Sequence, residues 1–181
     1  MVSASLIKLF IMGAVYDKIE TGAVKESDVS EKLEQMITVS DNAAANSLTM
    51  LLGNGDEEAG RKTVETWAAS IGCENVAYHR LMLAENDLQN HVTARDCAEI
   101  LRQIYKKTCI SEAASEKMLQ LMDAEKIGVS WDGGKMKPQM SVAGVYLISR
   151  KDILSDCRDC ANCIGQQTGC AFCCNNPKKM S

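Results

Sequence analysis

Two apolar residues separate Ser5 from Lys8, and Ser40-Asp41-Asn42 follows further along the chain. A serine hydroxyl becomes an effective nucleophile only when a neighbouring base takes its proton. A lysine amine serves as that base once its pKa is lowered, and burial among Leu6, Leu9 and Phe10 would lower it. Residues three apart on a helix share a face, so Ser5 and Lys8 can meet. A serine in a first turn also lies near backbone N–H groups that bond nothing within the helix, donors suited to a developing oxyanion. Taken alone, the pair reads more simply as a capping serine and a solvated lysine.

The second cluster shifts that balance. Ser, Asp and Asn are all N-cap residue types, and here they lead into NAAANSLTMLL, a helical stretch. Facing Ser5, the Ser40 hydroxyl could relay a proton to a leaving nitrogen, and the Asn42 amide could hold a substrate amide. Asp41 between them is expected to brace the turn rather than to take part in chemistry.

These residues need helices to position them. Apolar residues recurring at three and four predict helices over 4–19, 27–36, 41–53, 57–71, 94–107 and 112–124. Gly72 is a C-cap for the fourth, and Thr93 and Ser111 are N-caps for the last two. Met118 and Met122 read as core, and His79 and His91, lacking acidic partners at ligand spacing, receive no role. A chain of 181 residues is long enough for one domain with a real core. The net charge of −4 and the lack of a basic cluster argue against nucleic acid as a partner. No apolar run reaches membrane-spanning length, and no signal peptide is visible.

Residues 3–52, through SASLIKLFIMGAVYDKI and MITVSDNAAANSLTMLLG, resemble the class A beta-lactamase and penicillin-binding serine hydrolase superfamily. HVTARDCAEILRQIYKK (91–107) resembles the helix that follows the omega loop in those enzymes. The resemblance implies a mainly α structure, the helical part of the beta-lactamase/transpeptidase-like α/β fold with an incomplete sheet. It also implies an acyl-enzyme mechanism on a small beta-lactam or a peptidoglycan-type amide. Ser5 would be the acylated nucleophile, Lys8 its activator, Ser40 the proton relay and Asn42 a substrate-amide contact. No cofactor or metal is implied; the expected state is a monomer, secreted or in the periplasm or cell envelope.

Several positions depart from that pattern. The segment between Ser5 and Ser40 is shorter than in the better-known lactamases. Leu81 or Met82 occupies the place of the omega-loop glutamate that activates water for deacylation, while Glu85 and Asp87 nearby read as solvated carboxylates. An acyl-enzyme lacking that base would form and persist. A later K-T-G is also missing, the nearest remnants being Gly133-Gly134-Lys135 and the stretch around Lys137. The chain opens almost on its nucleophile, which predicts a fragment without the strands that precede S-x-x-K.

Beyond residue 126 the composition changes, so residues 1–126 are expected to form the domain and 127–181 a poorly ordered tail with one strand at 142–149. Six of the nine cysteines fall in this tail, at Cys157, Cys160, Cys163, Cys170, Cys173 and Cys174. One reading is a zinc knuckle on a non-catalytic helical binding module. The favoured reading is a frameshift upstream of residue 151. Back-translated and read one nucleotide later, residues 151–177 permit a small-apolar strand, a loop and a capped amphipathic helix, the elements with which the superfamily ends.

Overall fold

The structure, a computed structural model, describes residues 1–124 and the backbone of a short ladder at 131–132 and 135–136. The expectations placed on the tail, including its frameshift, its metal knuckle and the strand at 142–149, lie outside the described residues. Six α-helices account for most of the described chain: α1 Ile7–Glu20, α2 Ser30–Thr38, α3 Asn42–Leu52, α4 Glu57–Ser70, α5 Ala94–Tyr105 and α6 Glu112–Asp123. In the ladder, β1 (Trp131–Asp132) pairs antiparallel with β2 (Lys135–Met136), Trp131 opposite Met136. No helix among the described residues is long and apolar enough to cross a membrane.

Every residue of α1 from Ile7 to Tyr16 is buried, because apolar side chains surround the helix on all sides. It is therefore the axis of the domain, and α2 to α6 all pack against it. The outer helices bury one face each; in α5 that face is Cys97, Ile100, Leu101 and Ile104.

Helix ends follow cap chemistry. Asp41, Asp56, Thr93 and Ser111 each accept a backbone N–H three residues ahead, from Ala44, Ala59, Asp96 and Ala114. Helix α4 closes with Gly72 at φ +85°, where the Gly72 N–H donates to Ala69 O and the Cys73 N–H to Ala68 O. The main differences from the sequence expectation lie at α1 and α2. The first turn, Ala4–Leu6, is a 3₁₀ turn ahead of α1, and α2 begins only at Ser30, after a 3₁₀ turn over Glu26–Asp28. Burial of Val29 at φ −126° breaks the helical path there, and burial of Ile37 and Thr38 carries α2 further than expected.

Helices α3 and α4 approach almost backbone to backbone. A Cβ on Gly60 would collide with the carbonyl oxygen of Thr49 across that contact. Alanine is favoured over glycine within a helix by about 1 kcal/mol. Gly60→Ala should nonetheless lose stability, by about 1–3 kcal/mol in urea unfolding, because overpacking outweighs propensity. A variant as stable as wild type would contradict the close approach.

Candidate active site

Ser5 sits in the 3₁₀ turn that feeds α1, and Lys8 lies in the first turn of α1. Ser40 follows the end of α2, Asp41 caps α3 and Asn42 opens it. Packing of α1 against α2 and α3 brings the two clusters together.

Lys8 has no exposed surface, so its ammonium must find partners inside the protein. It donates three hydrogen bonds: to Ser40 O at 2.5 Å, Ser40 Oγ at 2.9 Å and Asn42 Oδ1 at 2.8 Å. Ser40 Oγ is also 2.9 Å from Ser5 Oγ. Ser40 therefore bridges the other two, and the path from Ser5 to the amine runs through its hydroxyl. Burial pushes the Lys8 pKa down from 10.5 to about 8, against the opposing pull of the Asp41 carboxylate. Asp41 itself accepts the Ala44 N–H at 2.6 Å, the bracing role expected of it.

Ser40 adopts φ +56°, a left-handed conformation that costs a residue with a Cβ about 1–2 kcal/mol. The polar contacts of its carbonyl and hydroxyl with Lys8 hold it there.

Ser5 and Asn42 open onto a cleft of about 340 Å³. Ser3 and Asn90 extend its polar wall, and Val2, Ala4, Met82 and Leu83 form an apolar one. Arg80 and Gln89 complete it on the side of the loop joining α4 to α5. No carboxylate lines it, and Glu85 and Asp87 are exposed on the loop outside.

Two asparagines that sequence reasoning passed over hold this loop. Asn46 donates Nδ2 to Met82 O at 3.1 Å and accepts the Met82 N–H at 2.7 Å. Its spacing of four from Asn42 was the available signal, since both then share one face of α3. Asn90 accepts the N–H groups of His79 and Arg80 and donates to Arg80 O, while its own carbonyl accepts the Ser3 N–H at 2.7 Å. Nothing in its local sequence marks it. His79 and His91 stack edge to face with ring centroids 6.1 Å apart, away from the Ser5–Lys8 cluster.

With this geometry established, comparison with known proteins is informative. The model of the beta-lactamase enzyme family matches residues 23–143, two-thirds of the chain. The chain belongs to the beta-lactamase enzyme family. The matched span contains Ser40, Asp41 and Asn42 and begins after Ser5 and Lys8. Among solved structures, a beta-lactamase from Sphaerobacter thermophilus DSM 20745 is similar at TM-score 0.60 and 20% identity. That match covers 74% of this chain and 61% of the Sphaerobacter chain, so the protein spans less than two-thirds of that relative. The likeness establishes the fold, and the expectation of the helical part of a beta-lactamase fold holds. No curated protein matches.

Two outcomes follow from the cluster. If the neutral amine is the base, modification of Ser5 by a fluorescent penicillin should accelerate tenfold per pH unit up to about 8 and then level off. Stability should also rise with pH from about 8 to 10.5, because only the unfolded chain still holds that proton. A flat rate profile would exclude Lys8 as the titrating base. In Ser40→Gly, relief of the left-handed strain should offset the loss of the hydroxyl contacts and leave stability near wild type, while Ser5 modification falls about 100-fold or more. Equal reactivity of the glycine variant would remove Ser40 from the proton path.

Proposed function

We propose that the protein is a serine hydrolase of the class A-like beta-lactamase type that forms an acyl-enzyme on Ser5 and releases it slowly. The observation that carries this reading is the Ser40 hydroxyl, 2.9 Å from both Ser5 Oγ and Lys8 Nζ at the edge of an open cleft. With Lys8 neutral, the Ser5 proton passes to Ser40 as the Ser40 proton passes to Lys8. Ser5 Oγ then bonds to the substrate carbonyl carbon, and the π pair moves onto the carbonyl oxygen. Collapse of that adduct breaks the carbon–nitrogen bond, and the Lys8 proton returns through Ser40 to the leaving nitrogen. The Asn42 Nδ2 group bonds nothing among the described residues, which leaves it available to a substrate carbonyl.

Hydrolysis of the acyl-enzyme needs a base for water, and on this reading an apolar residue of the loop stands in that base's place. Sequence reasoning left Leu81 and Met82 as alternatives for that position; the Asn46 clamp and the cleft wall favour Met82. Substrates in this reading are small beta-lactams or peptidoglycan-like amides, met by a monomer outside the cytoplasm.

A fluorescent penicillin should label the full chain slowly and to about one equivalent, Ser5→Ala should abolish the label, and nitrocefin turnover should be negligible. Met82→Glu places a carboxylate on the cleft wall and should convert persistent labelling into turnover, by 100-fold or more on the scale typical of a general base. Rapid nitrocefin hydrolysis by the wild type, or equal labelling of Ser5→Ala, would refute the reading.

A further inference from the structure

His79 and His91, the two histidines of the chain, are set side by side by the fold. Ala77 and His91 exchange both backbone hydrogen bonds, at 2.9 and 2.8 Å, as an antiparallel pair. His79 follows two residues after Ala77, so its side chain returns to the face that carries His91, diagonally across the pair. The rings meet edge to face with centroids 6.1 Å apart. Both residues are exposed, and neither ring forms a hydrogen bond or ion pair among the described residues. Their ring nitrogens are therefore open to a ligand.

The backbone beneath the rings is fixed from several directions. The His79 N–H donates to Asn90 Oδ1 at 2.9 Å, and Tyr78 beside it is held by Glu65 and Arg61. On either side of His91, Asn90 O accepts the Ser3 N–H and the Val92 N–H donates to Met1 O. The placement of the pair matters as much. His79 precedes and His91 follows residues 80–90, the loop from which Arg80, Met82, Leu83, Gln89 and Asn90 line the cleft. Whatever joins the two imidazoles ties the ends of that loop together.

Neutral imidazole is a common ligand for divalent transition cations. Metal–nitrogen bonds of about 2.0–2.1 Å to one nitrogen of each ring place the centroids roughly 5 Å apart, so a closure of about 1 Å by side-chain rotation suffices. No third His, Cys, Asp or Glu completes a cluster with them among the described residues, which leaves the other coordination positions to water. We propose that His79 and His91 form a two-histidine clip for a divalent transition cation of the Ni²⁺, Cu²⁺ or Zn²⁺ kind, which braces the base of the cleft loop. The clip is separate from the Ser5–Lys8 cluster and does not depend on Ser5 being the nucleophile. A chelate across the loop ends is made by the closed loop and broken in the opened one, so the cation disfavours opening.

Hydrogen exchange of the full chain, with and without Ni²⁺, tests this. Nickel suits imidazole, whereas zinc would also be drawn to clustered thiolates, which this chain carries at 157–174. At about ten times the half-saturating Ni²⁺ concentration, amide exchange across 80–90 should slow about tenfold, the factor by which binding disfavours the open state. His79→Ala and His91→Ala should each abolish the slowing, and the double variant should lose no more than either, because a chelate needs both rings. Both side chains are exposed, and unchanged exchange in the helices checks that each variant keeps the fold. Four results would overturn the proposal: no slowing at millimolar Ni²⁺, slowing that survives either substitution, partial losses that add in the double variant, or protection confined to residues outside 77–92.

Discussion

A charged group with no access to water organises the molecule. The Lys8 ammonium is enclosed by α1, the turn after α2 and the start of α3, and it has three hydrogens to place. A buried ammonium left unpaired costs several kcal/mol even after relaxation. The three acceptors therefore act as an anchor: remove one and the charge is exposed to an apolar surround. The left-handed backbone at Ser40 accompanies this arrangement, in which both the carbonyl and the hydroxyl of one residue face the same ammonium. Strain at a single residue is thus tied to a group with work to do, as is common at functional sites. Three occupied ammonium hydrogens also describe a resting state; the amine must lose one before it can accept a proton through Ser40.

The loop across from this cluster depends on a different kind of interaction. Its backbone forms no regular element, so its polar groups are met by side chains projecting from rigid helices. Tyr78 is held on three sides, by Glu65 at its N–H, Arg61 at its carbonyl and Thr49 at its hydroxyl. Asn46 then fixes Met82, and Asn90 closes the neck and bonds Ser3 in the segment that leads to Ser5. An apolar residue is in this way presented to the cleft with the positional control normally given to a catalytic group. In the proposed mechanism acylation and deacylation are separable for that reason: Ser5, Lys8 and Asn42 are carried by α1, its leading turn and α3, whereas a base for water would have to come from the loop.

Much of this was legible in the residues. The S-x-x-K and S-D-N spacings located Ser5, Lys8, Ser40 and Asn42, and helical periodicity located all six helices, because both signals are local. The Lys8 environment was legible too, from Leu6, Leu9 and Phe10 around it. What local reading missed was set by tertiary contact. Ser40 lies between Ser5 and Lys8, a bridge that depends on how α1 meets the α2–α3 turn. The late start of α2 reflects burial of Val29 against other elements, and the choice of Met82 over Leu81 rests on a clamp from a helix 36 residues away in sequence. Asn90 earns its importance from partners at residues 3, 79 and 80, which no short pattern encodes.

The central claim is that one serine of the cleft is activated by Lys8 through Ser40 while its neighbours are not. Ser3 provides an internal control, since it lines the same cleft two residues away and makes no hydrogen bond to Ser40 or Lys8. Peptide mapping by mass spectrometry of the full chain after exposure to a penicillin distinguishes them. A single adduct on Ser5 is the predicted result; an adduct on Ser3 or Ser40, or a chain modified only elsewhere, would contradict the account.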